Sequence, residues 1–246
     1  MRRTNAILTF LMCLCGIAAP LPATSGAPAT PTIDVRQDII WNRNTTASTD
    51  WALATSAMYH DERLRIVVGI RRQAPSTDIG TIARITLGNP PPSAGRTLVL
   101  TIQGHGNILH GMGGNIDLAA SLGQDFRTSD IKNWWGLSYS LGIQGACSFS
   151  PYVDHPLFGV TPTLLLNATK AIQNRFFIEL TCTTNSLFLY TSQLTLMLGA
   201  DIACRISNQL LIGLSSLTRF SDTPTETGFI TMHETSLYLT WMEVLP

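Results

Sequence analysis

The feature that most constrains this chain is an alternation of apolar and small polar residues with a period of two. From residue 135 to residue 144, every odd position is large and apolar, whereas the even positions are Gly, Ser, Ser, Gly and Gln. A period of two marks a β-strand whose two faces meet different surroundings. The same split recurs in six further segments, at 63–71, 97–103, 115–122, 175–182, 194–206 and 210–215. The pattern predicts an antiparallel all-β protein.

Five weaker segments raise the predicted number of strands to about twelve, within a range of eight to twelve. They lie at 33–41, 51–59, 79–87, 157–167 and 236–245. Turn-forming residues between the segments predict hairpins at 60–62, 89–93, 150–151, 206–209 and 221–225. Counted back from a last strand that runs toward the periplasm, the external loops are predicted at 104–114, 150–156 and 221–228.

The polar face of the strands separates two architectures. A soluble β-sandwich needs a wet face rich in Lys, Glu and Arg, but only 13% of the residues are charged and only two are lysines. Small residues on the polar face favour the narrow interior of a closed barrel. Aromatic residues near the strand ends predict belts at a membrane interface. They are Trp51, Tyr59, Trp134, Trp135, Phe149, Tyr152, Phe220 and Trp241. We therefore predict an antiparallel up-and-down transmembrane β-barrel, with a soluble exported β-sandwich as the alternative.

The first 29 residues have the composition of a cleaved signal peptide. Arg2 and Arg3 precede an apolar stretch at 6–19, and a small-residue cleavage site follows at 27–29. We predict residues 1–29 as the leader and 30–246 as a single barrel domain. Without Arg2 and Arg3, the 16 basic residues fall to 14 against 16 acidic ones, a net charge of −2. No basic cluster indicates nucleic acid as a partner, and no paired Cys or His motif indicates a metal or cofactor.

Residues 194–214 show a strand, a turn at 207–208 and a returning strand. This stretch resembles the hairpins of small Gram-negative outer-membrane β-barrel proteins, and the resemblance in pattern covers residues 45–246. It implies a place in the cell outer membrane, with outer-membrane lipid as a partner and an envelope protein as a further candidate partner. The periplasm and secretion are the alternative locations. The chain departs from the class at its end, where Leu245 and Pro246 stand in place of a final aromatic residue.

Eight charged residues share the parity of the small polar face and are predicted to point into the lumen. They are Arg63, Arg65, Arg71, Arg84, Arg175, Glu179, Asp201 and Arg205. Two interpretations stay open. The arginines either pair with carboxylates such as Asp117, Glu179 and Asp201, or favour anionic solutes.

Two histidines are candidates for catalysis. His110 lies in the glycine-rich segment 104–114, but the nearby strings that resemble a nucleophile elbow lack its final glycine. His233 precedes Glu234, and neighbouring residues of a strand point to opposite faces. The sequence therefore favours a narrow channel or a structural or docking component of a cell-envelope assembly. The alternatives are a barrel-embedded lipid-modifying hydrolase or acyltransferase, and a soluble β-sandwich that binds a partner or glycan.

Overall fold

Twelve antiparallel strands form a closed barrel. The computed structural model describes residues 31–44, 49–73, 76–87, 95–109, 113–130, 132–150, 157–184, 195–225 and 228–244. The strands are β1 (Thr32–Asn44), β2 (Thr49–His60), β3 (Leu64–Gln73), β4 (Ser76–Leu87), β5 (Gly95–Leu109), β6 (Gly113–Arg127), β7 (Trp135–Phe149), β8 (Leu157–Ile172), β9 (Phe176–Thr183), β10 (Met197–Arg205), β11 (Leu210–Thr225) and β12 (Gly228–Val244). The predicted leader lies outside the described residues. No helix in the described ranges is long and apolar enough to cross a membrane.

Each strand pairs with its neighbours in sequence, and β1 closes the ring against β12. Thr32 lies opposite Val244, and Ile40 lies opposite Ser236. An even number of strands lets the first and the last run antiparallel, so both ends of the barrel domain lie at the same rim. We call this rim the termini end. Over the part of the barrel where all twelve strands pair, closure removes the two free edges of an open sheet.

The two faces of the strands meet opposite surroundings, as the alternation predicts. On β7, Leu137, Leu141 and Ile143 point outward and are 49%, 64% and 66% exposed. Between them, Ser140 and Gln144 point inward and are buried. The polar face is therefore the inside of the barrel, and the apolar face is its outer surface.

A β-sandwich with these apolar residues in its core is excluded. Leu137, Ile143, Leu196 and Ile212 would pack against one another in such a core, but all four are exposed on the outside of the barrel. The prediction of an antiparallel barrel with about twelve strands is confirmed.

Two of the predicted external loops are mostly strand. Within 104–114, β5 continues to Leu109 and β6 begins at Gly113, with Gly106 opposite Ile116. Within 221–228, β11 continues to Thr225. Continued pairing satisfies backbone groups that a loop leaves to water, so glycine and turn-forming residues did not end these strands.

Aromatic side chains lie on the outer surface near both rims. Trp51 contacts Trp41 at a centroid distance of 4.9 Å near the rim opposite the termini end, and Trp135 and Trp241 are exposed near the termini end. Trp134 is an exception to the predicted belts. It is only 3% exposed and lies inside the barrel, because residue 134 shares the parity of the inward residues Ser140 and Gln144 of β7.

Candidate functional site

The interior of the barrel at the termini end is closed by apolar side chains. We call this cluster the terminal plug. It consists of Trp134, Ala171, Phe177, Ala203, Leu211 and Tyr238, with Met242 packed against it. Two guanidinium groups cover its rings: Arg127 lies 4.1 Å from the centroid of Trp134, and Arg205 lies 5.4 Å from that of Phe177. The plug therefore has an apolar body and a basic surface.

The connection before β7 holds Trp134 in the plug. The carboxylate of Asp130 accepts hydrogen bonds from the backbone N–H groups of Lys132, at 2.8 Å, and Asn133, at 3.0 Å. These bonds to Asn133 and Lys132 stabilise the charged form and lower the pKa of Asp130. The backbone N–H of Ala171 donates to the carbonyl oxygen of Trp134 at 2.9 Å. The position of the indole is thus fixed by backbone contacts on both sides.

Tyr238 connects the plug to a charged layer above it. Its hydroxyl donates to Asp201 Oδ1 at 2.5 Å, and the guanidinium of Arg36 lies 3.4 Å from its ring centroid. Arg36 Nη2 also pairs with Asp38 Oδ1 at 2.7 Å, and Arg36 Nη1 lies 3.9 Å from Asp201 Oδ2. This layer is an ion-pair network on an aromatic base.

A cavity of about 200 Å³ lies beyond the plug, in the middle of the barrel. We call it the central cavity. Its wall combines small hydroxyl residues, such as Ser121 and Ser140, with apolar ones, such as Val67 and Ile82. Four charged residues also line it: Arg65, Arg84, Glu179 and Asp201.

These four charges form two like-charged pairs on opposite walls. Arg65 of β3 lies directly opposite Arg84 of β4 in the strand register, and Glu179 of β9 lies directly opposite Asp201 of β10. We call them the arginine pair and the carboxylate pair. In the ring of twelve strands, β3 is six places from β9, and β4 is six places from β10. The two pairs therefore face each other across the lumen.

Neighbouring side chains form ion pairs or hydrogen bonds with some of these charged groups. Arg84 Nη2 lies 2.5 Å from Asp125 Oδ1. Glu179 Oε1 accepts hydrogen bonds from Asn167 Nδ2, at 2.5 Å, and Thr181 Oγ1, at 3.3 Å. Glu179 Oε2 is buried and accepts no hydrogen bond within the described part of the chain.

A third group of polar residues lies toward the rim opposite the termini end. The imidazole of His105 lies between two carboxylates, with Nδ1 2.9 Å from Asp117 Oδ2 and Nε2 3.6 Å from Asp78 Oδ1. A Ser–His–Asp triad needs a hydroxyl at the second imidazole nitrogen, whereas Nε2 of His105 faces Asp78. In the same region, Arg71 Nη2 pairs with Glu234 Oε1 at 2.6 Å.

The predicted lumen residues occupy different places. Arg65, Arg84, Glu179 and Asp201 line the central cavity, Arg71 is buried against Glu234, and Arg205 covers the plug at the end of β10. Arg63 and Arg175 do not lie on an inward strand face. Both are exposed in connections, just before β3 and β9. Both residues lie one position before a strand begins, where the alternation of the strand no longer sets the direction of a side chain.

Of the two catalytic candidates, His233 alone lies among the described residues. His110 lies outside the described residues. His233 is on the outer face, where Nδ1 lies 2.9 Å from Thr218 Oγ1 and Nε2 lies 3.3 Å from Thr235 Oγ1. Glu234 points inward to Arg71. Among the described residues, no group of three His, Cys, Asp or Glu side chains has the arrangement of a metal site.

Sequence reasoning missed several interior residues. Asp34, Arg36 and Asp38 are buried and alternate along β1 with Ile33, Val35, Gln37 and Ile39. The period of two could have assigned them to the lumen. The same signal was available for Trp134, since residue 134 shares the parity of the inward residues of β7.

No known protein family and no curated protein sequence matches the chain. Similarity is found among solved structures. The NanC porin is 8% identical, with a TM-score of 0.54, over 85% of this chain and 98% of NanC. Omp33, an outer-membrane protein of Acinetobacter baumannii, is 8% identical, with a TM-score of 0.46, over 86% of this chain and 98% of Omp33. The translocator domain of the autotransporter NalP from Neisseria meningitidis is 10% identical, with a TM-score of 0.44, over 98% of this chain and 93% of that domain. The similarity to NanC shows a shared barrel fold.

Proposed function

We propose that this protein is a narrow channel of the bacterial outer membrane, which admits small solutes to the lumen of the barrel. The observation that carries the proposal is the central cavity. Of its 23 wall residues, 12 are Gly, Ala, Ser or Thr, and charges of opposite sign face each other across it. An interior that served only to fill the barrel would be packed with larger side chains.

The outer surface supports a place in a lipid bilayer. Large apolar side chains are exposed along most strands, and soluble monomers rarely expose apolar patches larger than a few hundred Å². The 15 residues of β7 extend about 50 Å at ~3.3 Å per residue. A tilt of 35–45° leaves a height of about 35–40 Å, more than the ~25 Å apolar band of such barrels. This height supports outer-membrane lipid as the surrounding partner. We assign the termini end to the periplasm because the last strand of such barrels is expected to run toward it.

The terminal plug limits what passes. Trp134 and Tyr238 are almost fully buried inside the barrel, so a solute that leaves the central cavity toward the termini end meets these rings. We expect a low conductance for this reason. A structural or docking component of the envelope is the second candidate function, and the plug is the observation that favours it.

Fractionation and conductance test the proposal together. The folded protein should be recovered from membranes only with detergent, and it should migrate differently on a gel before and after boiling. After reconstitution into planar bilayers, it should give small, discrete current steps. Recovery of folded protein without detergent would contradict the membrane location. A detergent-dependent barrel without current would contradict the channel and favour the docking role.

A further inference from the structure

We propose that the central cavity is a binding site for a small zwitterion with an aliphatic body. The anionic group of the ligand contacts the arginine pair, and its cationic group contacts Glu179 of the carboxylate pair. This inference rests on the proposed channel, since it names the class of solute that the lumen selects.

The arrangement of charge is the first argument. Like charges placed directly opposite each other on neighbouring strands destabilise a sheet, yet both the arginine pair and the carboxylate pair have this arrangement. The two pairs lie on strands that are half a circumference apart. Arg84 pairs with Asp125, and Asp201 lies near Arg36, so each pair is partly compensated within the protein. A ligand with one charge of each sign would lower the remaining repulsion in both pairs, whereas a singly charged ligand would lower it in one.

The bonding of Glu179 is the second argument. Its Oε1 accepts two hydrogen bonds, but its Oε2 is buried and accepts none among the described residues. A buried charged oxygen without a donor is costly. Oε2 has no accessible surface in the cavity that Glu179 lines. An ammonium group, which carries three N–H donors on one centre, would therefore donate to it by drawing the carboxylate of Glu179 toward the cavity.

The neutral part of the wall is the third argument. Val67, Ile82, Ala119, Leu165 and Leu217 contribute to the cavity together with serine and threonine hydroxyls. A volume of about 200 Å³ holds on the order of ten water molecules, so it accommodates a compact molecule with a few carbon atoms between or beside its charges. Apolar wall groups favour an aliphatic body over a purely polar one.

Three small molecules of closely matched shape separate the contributions of the anionic and the cationic group to binding. L-Leucine carries both charges, 4-methylpentanoate lacks the ammonium group, and 3-methylbutylamine lacks the carboxylate. Isothermal titration of the purified barrel in detergent micelles measures the binding of each. We expect leucine to bind at least about tenfold more tightly than either analogue, because each lost charge-assisted contact is worth a factor of ten or more.

Two variants test which charged group of the ligand contacts which pair of side chains. Arg65→Gln should weaken the binding of 4-methylpentanoate and leucine but leave that of 3-methylbutylamine unchanged. Glu179→Gln should weaken the binding of 3-methylbutylamine and leucine but leave that of 4-methylpentanoate unchanged. Arg72→Gln is the matched control, because Arg72 is exposed on the other face of β3, and it should leave all three affinities unchanged. If Arg65 and Glu179 had only a structural role, each substitution would weaken the binding of all three probes to the same extent.

The outcomes separate this inference from the proposed function. Equal binding of the three probes to the unmodified protein overturns the zwitterion site, whether or not the variants fold, and leaves the channel standing. Absence of current in bilayers overturns the channel, and with it the use of the site in transport. Tight leucine binding together with the crossed effects of the two variants supports the inference.

Discussion

The phenol ring of Tyr238 lies across Gly213 on the inside of the barrel. The two residues are directly opposite each other on β12 and β11, and a Cβ at position 213 would overlap the ring of Tyr238. The absence of a side chain at Gly213 lets the hydroxyl of Tyr238 reach Asp201 at 2.5 Å. A glycine on one strand therefore positions an aromatic ring of the terminal plug and a member of the carboxylate pair.

Gly213→Ala should displace the ring of Tyr238 and lower the free energy of unfolding by about 1–3 kcal/mol, as overpacking does. Denaturant unfolding followed by gel migration measures the change. Gly145→Ala is the control, because a Cβ at Gly145 meets nothing within 4 Å, and it should be neutral. Equal effects at the two positions would contradict the close contact described here.

Trp134→Ala should open the terminal plug. The indole is 3% exposed and packs against Phe177 and Tyr238, so its loss should cost about 3–5 kcal/mol of unfolding free energy. If the barrel is a channel, the same variant should give larger current steps in planar bilayers. Trp135→Ala, at an outward position that is 55% exposed, should leave the current unchanged. A Trp134→Ala barrel with unaltered conductance would show that the narrowest point lies elsewhere.

The Arg71–Glu234 pair should be far more sensitive to loss of one partner than to loss of both. Both side chains are buried, with Arg71 Nη2 2.6 Å from Glu234 Oε1. Glu234→Leu should cost about 3–5 kcal/mol, because it leaves the buried guanidinium without this carboxylate and with the amide oxygen of Gln73, at 3.0 Å, as an acceptor. The double variant Arg71→Met and Glu234→Leu should recover much of this loss. Unfolding in denaturant gives both values, with the exposed Arg72→Gln as the control. A single variant as stable as the unmodified protein would refute the burial of the pair.

An arginine on the outer surface should be tolerated at the rim and not in the middle. Leu141 and Phe158 both point outward and are 64% and 78% exposed, but Leu141 lies near the middle of β7 and Phe158 is the second residue of β8. In lipid vesicles, Leu141→Arg should cost about 2–4 kcal/mol and Phe158→Arg about 0–1 kcal/mol. Reversible unfolding from the vesicles measures both. Equally small costs would mean that the middle of β7 meets water.

The sequence alone predicted most of the fold. Each of the twelve segments coincides in whole or in large part with one strand, and the inward and outward sets on β7 and β9 follow from parity. This was predictable because the direction of a side chain in a strand depends only on the positions of its neighbours along the chain. Arg63 and Arg175, which lie just before β3 and β9, are exposed in spite of their inward parity, since parity does not set the direction of a side chain beyond the strand.

Only the tertiary structure decided which interior residues meet. Arg71 and Glu234 are 163 positions apart in sequence, and the arginine pair faces the carboxylate pair only because twelve strands close into one ring. The alternation assigns each of these residues to the inside of the barrel. It does not give the residue's height along the barrel axis or its position around the circumference. Those are fixed by the register of every hairpin and by the pairing of β1 with β12, which are properties of the whole sheet. The physical reason is that the inward or outward direction of a side chain is a local property of the backbone. Contact between two side chains across the lumen depends on the closure of the whole barrel.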